Sequence, residues 1–558
     1  MIRELIAAIV TLWPLDLAAA VAVASAVLFY KLVISKEAAA RNRPRALRWR
    51  IKLHLRPGPG YASLVELLVR WSRPAAMFHG RRARPGLTWA DRLTCRTTEY
   101  AVRIGRAQYF RRLYARLEDQ VLVLAPQRTG KSGLIADRIV DHPGAVLATS
   151  TKADLVGLTA ADRSRLGPVH VFNPQGVGDV PSTLRVDLIG PCRDLVMAHN
   201  MAAWLTGDAA GHGNIEWFEQ KGEVALAGLL FAAAVTGSTV ADVFRWVQLD
   251  GHETALKALH AHGTPEMLAV VRRMMADNRT SGSVRDTIEL SLSWAAVPQL
   301  AEAVTPRPGD VVFDVGRFVL DRGTLYMIAS GSRKKSPVAT LFRALASYVH
   351  YEAGILGTRL PGGRLDPPLL MALDEVAVIC PIDLPAMLAD AAGKGILIMP
   401  VVHSTSQLEG KWGKDGGETI WSTCGTKLLL PGISHAQTLE DVSKLCGTVT
   451  EGTAPSTRTV RVVPPELLRT LPDWHALVLR MNLNPAVVRF RPVWKRPERR
   501  FPLCYLRPVP PLPETVLPET VLPAEEFTSI PRPGQQDPDL VPAAHAGRPW
   551  DAEGDTGA

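Results

Sequence analysis

The stretch VLVLAPQRTGKS, residues 121–132, decides the fold. Val121 to Leu124 form an apolar, β-branched run, which reads as a buried strand. A tight polar loop follows, closed by Gly130, Lys131 and Ser132, and then a helix-compatible segment from Leu134 to Val140. Strand, loop and helix in that order are what a phosphate-binding P-loop requires. Backbone N–H groups of the loop and the helix N-terminus form an anion site there. The expected nucleotide-binding residues are Ala125, Pro126, Gln127, Arg128, Thr129, Gly130, Lys131, Ser132 and Gly133. Lys131 is expected on the β- and γ-phosphates of ATP and Ser132 on Mg²⁺. The loop's usual first glycine is Ala125 here.

A second apolar run, Leu369 to Leu373, ends in Asp374 and Glu375. A buried strand that delivers two acids supplies what a P-loop lacks. Asp374 is expected to order Mg²⁺, and Glu375 to orient or deprotonate a water as catalytic base. Between the two motifs, runs at 145–149 and 169–172 alternate with helical patterns, the signature of βαβ units and a parallel sheet. From 187 to 306 strand-like runs are scarce and helix-compatible segments take over: 195–205, 216–235, 240–247, 253–260, 267–275 and 284–296. That span reads as an inserted all-α subdomain. Strand character returns at 324–329. A helix from Leu384, with Pro385 in its first turn, ends at Gly393, Lys394 and Gly395. The run Ile396 to Val402 then leads into His403 and Gln407, where a γ-phosphate sensor belongs. Further strands are expected at 426–430, 476–480 and 486–493.

At the amino end, Leu17 to Ile34 is apolar apart from Ser25 and Lys31. As a helix it spans about 27 Å, enough for a bilayer core. Basic residues follow it, including Lys36, Arg41, Arg43, Arg45, Arg48 and Arg50, and they place that side in the cytoplasm. Residues 57–99 read as a membrane-proximal adaptor or a solvated basic linker, with arginines for anionic lipid or DNA. From 497 the chain is proline-rich, acidic and without helical period, so it reads as a disordered tail. Composition agrees with a multidomain globular chain: 558 residues, 47% hydrophobic, 21% charged, net charge +10. Six scattered cysteines form no Cys-x-x-Cys pair and give no support to a zinc site.

In order and spacing these motifs resemble the TraG-like coupling-protein ATPases of conjugation and type IV secretion, relatives of the FtsK/HerA motors. The resemblance covers roughly residues 104–491. It rests on the loop at 123–131, Thr-Lys-Ala-Asp-Leu at 151–155, the helical insertion, Leu-Asp-Glu-Val at 373–376, the Ser-Gln-Leu stretch at 406–413 and Lys-Leu-Leu-Leu-Pro-Gly at 427–432. It implies an α/β fold: a P-loop NTPase (RecA-like) sheet with an inserted all-α subdomain and an N-terminal transmembrane helix. It also implies a homo-oligomer, a hexameric ring that binds ATP and Mg²⁺ between subunits and works with DNA, a relaxase and secretion-channel proteins at the cytoplasmic membrane. The family's glutamine four residues before Gln407 is His403 here, so the sensor role stays open between His403 and Gln407. The cation expected to reach the neighbouring subunit's nucleotide is Lys394, where the family has arginine.

The expected organisation is therefore an anchor (1–36), a basic segment (37–99), a nucleotide-binding domain in two parts (100–186 and 307–496) around the insertion (187–306), and a tail (497–558). The function expected is ATP-driven DNA transfer across the membrane. A protein-export motor, or a nucleotide-binding receptor with little turnover, are the alternatives.

Overall fold

A computed structural model of the chain describes residues 44–496 except 208–213, 277–278, 332–335 and 454–455. The expected anchor, Leu17 to Ile34, and the expected tail lie outside the described residues. Among the described residues, no helix is long and apolar enough to cross a membrane.

Among the described residues, thirteen strands form an eleven-stranded sheet and a separate hairpin. In chain order they are β1 (Ala101–Arg106), β2 (Arg112–Arg116), β3 (Val121–Leu124), β4 (Val146–Ser150), β5 (Val169–Phe172), β6 (Thr324–Ile328), β7 (Leu369–Leu373), β8 (Ile396–Val402), β9 (Thr426–Leu429), β10 (Thr448–Thr453), β11 (Ser456–Arg461), β12 (His475–Arg480) and β13 (Ala486–Arg489). The sheet runs β2-β1-β13-β12-β9-β3-β8-β7-β4-β6-β5, and β10-β11 stand apart. Pairing from β9 through β5 is parallel throughout, with registers such as Val123↔Val401 and Met371↔Ile398. Antiparallel pairing of β12 with β9 and β13 extends one flank.

Alternation along these strands divides the interior into two cores, one on each sheet face. Leu122, Leu124, Leu147, Met371, Leu373 and Ile398 point to one side. Val121, Val123, Val146, Ala372, Met399 and Val401 point to the other. Both faces are covered, which is why β3, β7 and β8 are apolar at every position rather than at alternate ones. The P-loop helix Lys131–Asp141 and the helix Asp154–Arg163 bury Leu134, Ile135 and Leu155 in the second core. The long helix Pro337–Arg359 and the helix Leu384–Lys394 bury Phe342, Leu345 and Leu388 in the first.

Between β5 and β6 the chain makes a helical excursion. Its hub is Asn214–Thr236, surrounded by Leu195–Thr206, Glu253–His262, Pro265–Met274 and Arg279–Leu292. The excursion leaves and returns at one place: Arg185 bridges Val312, and Val186 N–H donates to the Ala303 carbonyl at 3.0 Å. Residues 44–99 are not a solvated linker. Helices Pro44–Lys52, Leu64–Arg70, Arg73–Ala83 and Trp89–Thr94 pack onto the sheet, with Leu47, Tyr61, Trp71 and Tyr100 fully buried. Arg84 pairs with Asp366, and Arg364 donates to the Arg82 carbonyl at 3.2 Å and to Glu118 at 2.7 Å, tying this layer to loops that precede β7 and β3.

Candidate nucleotide site at the carboxyl edge

Because β3, β8, β7 and β4 are parallel neighbours, their carboxyl ends open on one edge. The residues that follow them are Ala125, His403, Asp374 and Thr151. Topology alone therefore brings together motifs about 240 and 270 residues apart, a juxtaposition that parallel α/β sheets use for ligands.

The loop after β3 turns through two left-handed positions, Arg128 (φ 60°) and Gly130 (φ 90°). Gly130 is required twice over. An L side chain resists that φ, and a Cβ there would lie 2.8 Å from Cζ3 of Trp474. Ala125 takes no left-handed conformation. Its N–H continues the β3–β8 ladder to the Val402 carbonyl at 2.9 Å, and its methyl is buried, so the missing glycine costs the loop nothing. Gly130 begins the P-loop helix without a side-chain cap. The first N–H groups are thus left for an anion.

Lys131, on that helix, bridges both acids. Its Nζ is ion-paired with Glu375 Oε1 and lies 3.3 Å from Asp374 Oδ1. Burial works against the ammonium, but Asp374 and then Glu375 outweigh it and raise the Lys131 pKa. Burial pushes the Asp374 carboxyl up to about 6. Burial would raise Glu375 too, yet hydrogen bonds from His403 and Lys131 hold it at about 2. Glu375 itself has a left-handed backbone (φ 52°). Next to it, the fully buried Thr149 hydroxyl donates to the Asp374 carbonyl at 2.8 Å.

His403 closes the cluster. Nδ1–H donates to the Ala125 carbonyl at 2.9 Å, and Nε2 lies 3.1 Å from Glu375 Oε1. The bond to Glu375 raises the His403 pKa and favours the imidazolium, which donates from both nitrogens. Gln407 acts on the backbone instead, where its Oε1 accepts the His403 N–H at 2.8 Å. Of the two sensor candidates, only His403 has its side chain among the acids.

Lys394 is placed elsewhere. It pairs with Asp390 and lies against Gly354, at the amino end of β8. The seven residues of β8 separate it from His403, about 23 Å of extended strand. Within this chain it is not part of the cluster. Sequence reasoning also missed residues that the site uses. Thr149 is hidden inside a uniformly apolar run. Trp474 stands next to Phe490 and Trp494 (5.8 and 5.6 Å between centroids) and walls the loop from a distant part of the chain.

The donor set fits a nucleotide with a divalent cation. Asp374 Oδ1 is buried with no hydrogen-bond partner, and the Lys131 ammonium at 3.3 Å is only an ion-pair neighbour. A hard cation takes such carboxylate oxygens.

Comparison with known proteins follows the same lines. Residues 368–472 match the family model described as the TraM recognition site of TraD and TraG. That span holds Asp374, Glu375, His403 and Gln407. Among solved structures, the fold is similar to that of the plasmid coupling protein TrwB. In complex with the GTP analogue GDPNP it has 18% identity and TM-score 0.51, covering 67% of this chain and 86% of that one. In complex with ADP and Mg²⁺ it has 18% identity and TM-score 0.51, covering 67% and 85%. A trigonal form with sulphate gives 19% identity and TM-score 0.52 over the same shares. No curated protein matches the chain. The chain is thus similar to the TraG-like coupling proteins, by a family match over residues 368–472 and by a shared fold over two thirds of its length.

Proposed function

We propose that the chain is a membrane-anchored, Mg²⁺-dependent ATPase that couples ATP hydrolysis to DNA transfer in conjugation. The observation that carries this reading is the convergence of Lys131, Asp374, Glu375 and His403 at one sheet edge, around an uncapped helix N-terminus. The match to a recognition segment of TraD and TraG, and the likeness to a coupling protein solved with nucleotide and Mg²⁺, support the choice of substrate.

In this reading the loop 125–133 cradles the phosphates with its N–H groups. Asp374 and Ser132 would hold Mg²⁺, which would supply charge neutralisation at the phosphates. Lys131 cannot serve Glu375 and a γ-phosphate equally, so phosphate binding draws it away and frees the Glu375 carboxylate. The pKa of about 2 belongs to the resting cluster, where His403 and Lys131 hold the carboxylate down; release from Lys131 raises it and leaves a stronger base to orient a water and accept its proton. His403, held by Ala125 and Gln407, supplies an N–H to the same place and reports phosphate occupancy to the helix Thr405–Thr423. Lys394 is too far from its own nucleotide to act on it. In a hexameric ring the neighbour's site is the one it serves. The run Leu17 to Ile34 anchors the chain in the cytoplasmic membrane, with the bulk in the cytoplasm.

A mating assay in the native host, combined with affinity capture, tests the substrate. Lys131→Ala and Glu375→Gln should abolish plasmid transfer, and the captured wild-type chain should carry relaxase and plasmid DNA. Capture of exported proteins without nucleic acid, with transfer unaffected in both variants, would instead indicate a protein-export motor.

A further inference from the structure

Seven of the nineteen large apolar side chains exposed among the described residues fall within residues 64–93. They are not scattered. On the helix Leu64–Arg70 only Leu67 is buried, while Val65 (69% exposed), Leu68 and Val69 (61%) share one face at i, i+3 and i+4. Phe78 is 74% exposed on the next helix, and Trp89 and Leu93, four apart, are open on the third. A soluble surface disperses such residues; their concentration on three successive helices that pack in series points to an interaction face.

The platform beneath them is fixed. Trp71 is fully buried under the Arg480 guanidinium at 5.2 Å, and its carbonyl accepts the Tyr114 N–H at 2.9 Å. Asp366, just before β7, pairs with Arg84 and accepts the Gly86 N–H at 2.6 Å. Asp119, just before β3, holds Arg480 at 2.7 Å. These anchors sit at the amino ends of β7 and β3. The layer therefore lies away from the edge that carries Lys131 and Glu375, and it joins the sheet near β2 and β1 rather than near β5 and β6, where the helical excursion departs.

The charge around this apolar face is net positive. Arg70, Arg81 and Arg82 are exposed. Among nearby acids Glu118 is paired with Arg364, while Glu66, held by Asn484 at 2.8 and 3.0 Å, and Asp91, in the cap of its own helix, keep their charge and are outnumbered by the three arginines. Exposed aliphatic and aromatic side chains on helices that also carry an excess of exposed arginines match the headgroup boundary of an anionic bilayer. A nucleic acid would use the arginines but leave Val65, Leu68 and Val69 dehydrated without a partner. A second copy of the same face would set arginine against arginine. The 43 residues that lead into this layer contain the apolar run Leu17 to Ile34 and a basic cluster.

We infer that the exposed face of residues 64–93 docks on the anionic bilayer that anchors the chain, with Val65, Val69, Phe78 and Trp89 at the acyl boundary and Arg70, Arg81 and Arg82 against lipid headgroups. This rests on the anchored reading. The test is hydrogen–deuterium exchange of the full chain in nanodiscs of phosphatidylcholine alone or mixed with phosphatidylglycerol. Amides of 64–70 and 89–94 should exchange severalfold more slowly in the anionic discs. The combined variant Val65→Ser, Val69→Ser, Phe78→Ser, Trp89→Ser should lose that protection while keeping wild-type thermal unfolding and basal ATPase. Equal exchange in both discs would overturn the inference alone. So would protection that follows DNA addition or a rise in oligomeric state in neutral discs. A full chain that does not enter discs at all would overturn the anchored reading along with it.

Discussion

Replacing Thr149 with valine removes one oxygen while keeping the shape and strand preference of the side chain. Thr149 is fully buried at the end of β4, level with Leu373 of β7, and its hydroxyl donates to the Asp374 carbonyl at 2.8 Å. Without that donor a buried carbonyl loses its side-chain partner, at a cost of about 1–3 kcal/mol. The next residue, Glu375, has a left-handed backbone, which costs an L residue about 1–2 kcal/mol and must be held by its surroundings. Thr149 is one of the restraints that hold it. If about 1–2 kcal/mol of the loss is expressed where Glu375 acts, turnover falls about 5- to 30-fold. The assay is phosphate release at saturating ATP, alongside binding of a fluorescent nucleotide and thermal unfolding. Thr149→Val should lower kcat and leave nucleotide affinity near wild type, and Thr149→Ser should recover most of the rate. Wild-type kcat in Thr149→Val, with unchanged unfolding, would refute the positioning argument.

Gly130→Ala combines a left-handed penalty of about 1–2 kcal/mol with a methyl 2.8 Å from Trp474, so nucleotide affinity should drop at least tenfold in a binding titration, and a second change, Trp474→Ala, should restore part of it. Gln407→Ala leaves the His403 N–H without its 2.8 Å acceptor, and a loss of about 1 kcal/mol should lower steady-state turnover about fivefold while nucleotide affinity holds. His142 is fully buried, with Nε2 on the Pro368 carbonyl at 2.7 Å, and burial lowers its pKa from 6.5 to about 3. Below pH 6.5 the unfolded chain takes up a proton that the folded chain refuses, so stability falls as pH drops, by about 2 kcal/mol at pH 5. His142→Gln should flatten that acid limb in unfolding scans from pH 7 to pH 5; an unaltered limb would locate the sensitivity elsewhere.

The parallel core was legible because each of its strands is buried on both faces. Ile396 to Val402 is apolar at every position, and the expected strand coincides with β8. The same holds for β3 and β5. The strands that escaped are those with mixed burial. β1 and β2 read AVRIGR and RLYAR, where arginines interrupt the apolar run and one of them, Arg103, pairs with Asp137 of the P-loop helix, and the β10–β11 hairpin is built largely from threonines and charges. The run expected to extend to residue 493 ends at Arg489, where β12 and β13 stop pairing. Of the site, the motifs that follow strands were readable, because chemistry restricts their residue types. Distant contacts were not. Nothing local to Trp474 says that its ring meets Gly130, and nothing local to Gln407 says that its amide is committed to the His403 backbone rather than to a phosphate. Lys394 shows the converse limit. Its place just before β8 was readable, but only the parallel pairing of β8 with β7 and β3 shows that this end of the strand lies away from the acids of its own chain.

The central claim is that the cluster at the carboxyl edge hydrolyses ATP to move DNA. It is tested most directly by Mg²⁺-dependent phosphate release from the assembled full chain, with and without single-stranded DNA, and with oligomeric state measured in the same samples. Release should rise severalfold on adding DNA and disappear in both Lys131→Ala and Glu375→Gln. An assembled ring that hydrolyses ATP at one rate with and without DNA, or a Glu375→Gln ring that retains wild-type turnover, would contradict the claim.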